Sequence, residues 1–268
     1  MGFSRTTPVK SGTRTLLTSL YHTYHRPEYL GIDPLCCVRE FADPAQREVT
    51  GLLASALAYG RVEQILASIR RVLSIAGNDI LSFTMETTLS AKRRALRGFR
   101  HRFNDGDDVA LLLEAVRRCR SEHGSLEPLL HQGMDCGDMR HAAAFFVDTL
   151  NAHAAPSGSG ACGALGFLIP SPHAGSACKR LNMYFRWLVR ADDGIDMGVW
   201  KSIPTSALIV PLDVHVCRIA RKLGILTRST ADWKAAEEVT AHLRELDPVD
   251  PVKFDFSMCR QGMVGART

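Results

Sequence analysis

Two short stretches hold residues whose types suit joint chemistry. GSACKRLN at 175–182 puts Lys179 just after a turn rich in proline and glycine, and PLDVHVCRIARKLG at 211–224 puts Asp213 at the start of a helix. A neutral lysine amine is a nucleophile toward an electrophilic carbon. A fixed carboxylate stabilises positive charge developing on that carbon. Each residue also has an ordinary reading. Asp213 is a good N-cap, because its carboxylate accepts from free N–H groups of the first turn. A lone lysine on a helix is usually solvated. Taken together, with the turn before Lys179 and Pro-Leu-Asp-Val-His around Asp213, the two residues read as a site.

The elements that must position them are helical. In LIPSPHAGSACKRLNMYFRWLVR (168–190), two prolines and Gly175 predict a tight hairpin, with a helix starting near Ser176. Its apolar face is Leu181, Tyr184, Phe185 and Leu188, leaving Lys179, Asn182, Met183, Arg186 and Arg190 on another face and Lys179 directed away from the core. After Asp213, the residues Val214, Val216, Cys217, Ile219, Ala220 and Leu223 form an apolar stripe, and Gly224 is a C′ stop. Arg218, Arg221 and Lys222 form a basic stripe suited to solvent or to phosphates.

The rest of the chain carries the same periodicity. GLLASALAYGRVEQILASIRRVLSIAG (51–77), DDVALLLEAVRRCRSEHG (107–124), DMRHAAAFFVDTLNAH (138–153), a stretch from about Ala231 to Leu246, and VKFDFSMCRQGM (252–263) all read as helices. Asp43, Gln46 and Arg47 open another after FADP, with capping as their role. HAAPSGSGACGALGF (153–167) reads as a loop joining two lobes. The expected architecture is all-α and two-lobed, with a helical bundle over 40–152 and a second lobe made of 1–39 and 153–268. Tyr59 and Arg61 are placed to line the cleft between them. Trp187 reads as packing, and Trp200 and Trp233 either pack or stack on a base.

Composition narrows the classes. With 268 residues, 46% hydrophobic and 23% charged, the chain has ample material for a core. A net charge of +5 suits a phosphate-bearing partner without requiring one. The run AKRRALRGFRHRF (91–103) is basic and without acids, and reads either as a solvated face or as a phosphate contact. The eight cysteines form no CxxC pair, so they read as reduced thiols of a cytoplasmic protein, with no zinc or iron–sulfur spacing. No apolar run is long enough to span a bilayer, and the N-terminus has no apolar stretch of signal-peptide type.

GSACKRLN and PLDVHVCRIARKLG resemble the two signature segments of the helix–hairpin–helix DNA glycosylase superfamily. The whole chain resembles a bacterial family known as domain of unknown function 2400, nearest within that superfamily to the archaeal 8-oxoguanine DNA glycosylases. Ala177 stands where the hairpin motif has its second glycine. The resemblance implies a helix–hairpin–helix glycosylase-like fold and a DNA glycosylase with AP lyase activity that removes an oxidised purine, 8-oxoguanine first among them. It implies Lys179 as the nucleophile and Asp213 as the electrostatic partner and proton shuttle. Asp255 and Cys259 become base-binding residues, and Gly175, Ser176, Arg180, Arg186, His215 and Arg218 become DNA contacts. No cofactor or metal is implied for the chemistry, though a monovalent cation at the hairpin carbonyls around 170–175 fits the pattern. The partner is damaged double-stranded DNA, with no membrane, and the chain is expected to act as a monomer. Cleavage of an N-glycosidic bond builds positive charge at the sugar C1′, where a carboxylate and an amine are the groups required. The base must leave the stack to reach them. Two other readings remain: a glycosidase acting on RNA or a modified nucleoside, and a non-catalytic nucleic-acid-binding protein.

Overall fold

The computed structural model of the chain describes residues 11–154 and 165–264. Most of these are helical, and the strands amount to one short ladder. The first part runs α1 (Ser11–Tyr24), α2 (Leu35–Arg39), α3 (Pro44–Ala56), α4 (Val62–Ile75), α5 (Ile80–Glu86) and α6 (Leu89–Ala95). A two-residue hairpin follows, β1 (Arg100–His101) and β2 (Asn104–Asp105), antiparallel with Arg100 opposite Asp105. Then come α7 (Gly106–His123), α8 (Glu127–Asp135) and α9 (Met139–Ala154). After the second described segment begins, the helices are α10 (Lys179–Val189), α11 (Val214–Leu223), α12 (Trp233–Leu246) and α13 (Asp255–Val264).

Short polar side chains set the helix starts. Asp43 caps α3 by accepting from the Gln46 N–H at 2.9 Å, with Pro44 at the first helical position. Asp105 and Asp108 form a reciprocal capping box on α7. Asp232 caps α12, so that helix begins at Trp233.

The apolar faces merge into one continuous core. Helix α9 packs on both α7 and α8, α10 packs on α3, and α13 packs on both α11 and α1. All three tryptophans are buried, so Trp200 and Trp233 pack rather than stack on a ligand. Trp200 donates its indole N–H to Glu48 at 2.8 Å, and Trp233 to Glu237 at 2.7 Å.

Four expectations change. The pattern over 51–77 is two helices, because the chain turns at Leu57–Arg61 and Gly60 has φ +106. A side chain at Gly60 would be strained by that φ and would meet Arg102 at 2.9 Å. The helix expected near Ser176 starts at Lys179, since Cys178 is left-handed at φ 48 and its N–H is held by Ser176 Oγ at 3.0 Å. Asn182, Met183, Arg186 and Arg190 are buried, so α10 has no solvent-facing basic side at these positions. Val214 is 77% exposed rather than part of the apolar stripe. The loop read over 153–167 and Cys162 lie mostly or wholly outside the described residues. The seven described cysteines are free thiols. Among the described residues no helix is long and apolar enough to cross a membrane.

Candidate functional site

A cavity of about 1050 Å³ opens where α10, α11 and α13 face the turn after α3 and the segment before α2. Lys179 from α10, Asp213 from the start of α11, and Asp255 and Cys259 from α13 all line it. Tyr59 and Gly60 close the opposite side; Arg61 is not part of the lining. Residues distant in sequence thus present an amine, two carboxylates and a thiol to one space.

Asp213 combines its two readings. Its Oδ1 accepts from the N–H groups of His215 and Val216, both at 2.8 Å, which makes it the N-cap of α11. Its Oδ2 is not used by the cap; the Cys259 thiol donates to it at 3.3 Å. The helix fixes the carboxylate through one oxygen, and the thiol of another cavity residue, Cys259, meets the other.

Asp255 is the first residue of α13 and is 4% exposed. Arg186 donates to its Oδ2, while Oδ1 finds no hydrogen-bond partner among the described residues. Burial pushes this carboxyl up to about 7, against the pull of Arg186 and with the negative charge of Asp213 adding to the rise. Burial also pushes the Cys259 thiol well above its usual range, reinforced by the charges of Asp213 and Asp255. Cys259 is therefore a neutral thiol able to donate to Asp213.

The expected DNA contacts divide. Arg186 is only 3% exposed and is locked between Asp255 and Asp196, with its Nε 3.1 Å from Asp196. Arg190 is likewise held by Asp193, Asp196 and Asp250. Neither is available to a phosphate. Their carboxylate partners come from the segment before α11 (Asp193 and Asp196), the segment after α12 (Asp250) and the start of α13 (Asp255). Arg180 donates to the carbonyls of Ala56 and Phe167 and lies over the Tyr59 ring at 4.9 Å, so it ties α10 to the end of α3. Arg218, which lines the cavity, donates to the Gly262 carbonyl. His215 packs on Gly262, where an added Cβ would come within 2.6 Å of its own Cβ. Gly175 is exposed and left-handed at φ 78, and Ser176 is half-buried; both lie outside the cavity lining.

Three of the carbonyls in the 170–175 segment, where a cation was expected, accept hydrogen bonds within the chain. Pro170 O accepts from the Cys178 thiol at 3.2 Å, Ser171 O from the Ala174 N–H at 3.1 Å, and Pro172 O from the Gly175 N–H at 3.2 Å. Arg140 also reaches Pro172 O at 3.4 Å, placing a positive charge at that carbonyl. Among the described residues no group of three or more His, Cys, Asp or Glu is placed to hold a metal ion.

Sequence reasoning missed part of the cavity. Phe256 and Arg260 line it, with the guanidinium 4.5 Å from the ring centroid and Asp33 accepting from it. The signal was present in FDFSMCRQG, where Asp255 and Cys259, and likewise Phe256 and Arg260, are four residues apart and share helix faces.

The protein is thus mostly helical, with an amine and two carboxylates gathered in one cavity. Over residues 33–264 it matches the family described as protein of unknown function (DUF2400), and it belongs to that family. No curated protein and no solved structure matches the chain. The match corrects the wider kinship read from GSACKRLN and PLDVHVCRIARKLG. It is to DUF2400 alone, with nothing linking the chain to the helix–hairpin–helix glycosylase superfamily or to the archaeal 8-oxoguanine glycosylases. Those two segments are short, and much of their pattern is ordinary cap and turn chemistry: Asp213 caps, Gly224 stops and Gly175 turns.

Proposed function

We propose that this chain is a DNA glycosylase with AP lyase activity, acting on an oxidised purine, with 8-oxoguanine as the base to test first. One observation carries the reading: Lys179 and Asp213 line the same cavity, and the helix cap uses only one of the two Asp213 oxygens. In this reading the target nucleotide leaves the duplex and its base enters the cavity. Lys179 Nζ attacks C1′, the N-glycosidic bond breaks, and the departing base takes a proton. Asp213 stabilises the positive charge at C1′. Opening of the sugar ring then leaves a Schiff base on Lys179. Loss of a C2′ proton expels the 3′ phosphate and cuts the strand. Damaged double-stranded DNA is the partner, and one copy of the chain supplies every group the scheme needs.

The test is base release from an 8-oxoguanine duplex, compared with the undamaged duplex, an 8-oxoguanine RNA and the free nucleoside. Release from the damaged duplex alone is the expected result. Release only from RNA or the nucleoside would replace the substrate class, and no release from any of them would overturn the reading.

A further inference from the structure

The basic run 91–103 ends in the β1–β2 hairpin, whose two-residue tip is Arg102 and Phe103. Phe103 is 71% exposed. The hairpin beneath it is held firmly. Tyr59 OH lies 2.8 Å from the His101 carbonyl and 2.6 Å from Asn104 Oδ1. His101 is buried, with one ring nitrogen 2.8 Å from Ser68 Oγ and the other 3.2 Å from the Tyr59 carbonyl. Arg102, left-handed at φ 53, lies across Gly60 and 5.5 Å from the Phe103 ring centroid. Phe103 stands edge to face with Phe167, 47% exposed, at 5.2 Å, and Phe167 with Tyr59 at 5.0 Å. Tyr59 lines the cavity. A line of three rings therefore runs from the cavity out to an exposed tip.

Arg93, Arg94, Arg97 and Arg100 line a second hollow of about 670 Å³ together with Asp105, which caps α7, and Asp107. Arg93 reaches Asp107 at 3.6 Å. Arg94, Arg97 and Arg100 are exposed and make no ion pair among the described residues. An exposed ring on a rigid mount beside unpaired arginines complements one chemistry closely: a stacked base flanked by a phosphate backbone.

We infer that the 100–105 hairpin is a nucleic-acid-binding edge of the cavity. Phe103 stacks against a base next to the displaced nucleotide, and Arg94, Arg97 and Arg100 bind the flanking phosphates of duplex DNA. This rests on the DNA reading above for its partner but needs no chemistry at Lys179.

The experiment measures binding of the full chain to a duplex with one tetrahydrofuran abasic analogue and to the intact duplex, across a range of salt. Phe103→Ala is expected to weaken binding to the abasic duplex about tenfold or more, and Phe103→Trp to retain it. Arg97→Ala and Arg100→Ala should each lower the salt slope by about one. Melting curves check that the exposed substitutions leave the fold intact. If the wild type binds and both Phe103→Ala and the arginine variants bind as it does, the hairpin assignment is wrong while the DNA reading stands. If Phe103-dependent binding is present but no lesion is excised, the catalytic reading fails and the hairpin assignment stands. If the wild type binds no duplex, or only RNA or a protein, the assignment is overturned.

Discussion

The Cys259 thiol sits 3.3 Å from Oδ2 of Asp213, on the oxygen that the helix cap leaves free. That contact makes the two possible roles of Asp213 separable, because structure depends on Oδ1 and chemistry on the charge that both oxygens share.

Asp213→Asn keeps an acceptor for the His215 and Val216 N–H groups, and asparagine caps about as well as aspartate. Its melting temperature should match the wild type. Excision should fall by about a hundredfold or more, the scale of removing one electrostatic stabiliser. Asp213→Ala removes the cap as well and should cost about 1 kcal/mol of stability. Calorimetry and single-turnover kinetics on the two variants check this, and wild-type excision by Asp213→Asn would leave the residue as a cap alone.

Asp255 gives the fold a pH dependence of definite sign. A free aspartate titrates near 4, whereas Asp255 in the fold is pushed up to about 7. Between these values the folded chain holds a proton that the unfolded chain has released. The stability that this proton contributes is complete at the low end and is lost as pH rises through about 7. Urea midpoints of the wild type and Asp255→Asn isolate the effect. The wild type should lose stability relative to the variant across this window, by at most about 1.4 kcal/mol per pH unit. A constant difference from pH 4 to 8 would contradict the raised value.

Glu48 holds α3 to its neighbours. It is buried, it pairs with Arg120, and it accepts from the Leu126 N–H at 3.0 Å and the Trp200 indole at 2.8 Å. Glu48→Ala leaves three donors without their acceptor, and should cost about 3–5 kcal/mol in chemical denaturation. A loss under 1 kcal/mol would show that water replaces the carboxylate freely.

What was legible in the sequence was local. Asp43 and Asp213 as caps, Gly224 as a stop, and the helices over 107–124 and 138–153 each follow from neighbours within a turn or two. Lys179 and Asp213 were legible as a pair, and the structure puts both on one cavity. The arginines were not. Arg186 and Arg190 looked solvated because their partners Asp196, Asp250 and Asp255 come from other elements, and only the fold brings them together. Lys92 shows the same effect: inside a basic run it is fully buried, because Glu114 on α7 meets it at 3.1 Å. The break at Leu57–Arg61 was hidden because apolar spacing continues across it, while Gly60 carries a φ that no helix allows.

The central claim is that Lys179 forms a covalent bond to the sugar carbon. Borohydride trapping on an 8-oxoguanine duplex measures this directly, because reduction of a Schiff base fixes protein to DNA as a species resolved by denaturing electrophoresis. The wild type should give this adduct. Lys179→Gln should give none at an unchanged melting temperature, since the Lys179 side chain makes no hydrogen bond or ion pair among the described residues that the change would break. An adduct that persists in Lys179→Gln, or a wild type that excises the base without ever trapping, would contradict the account.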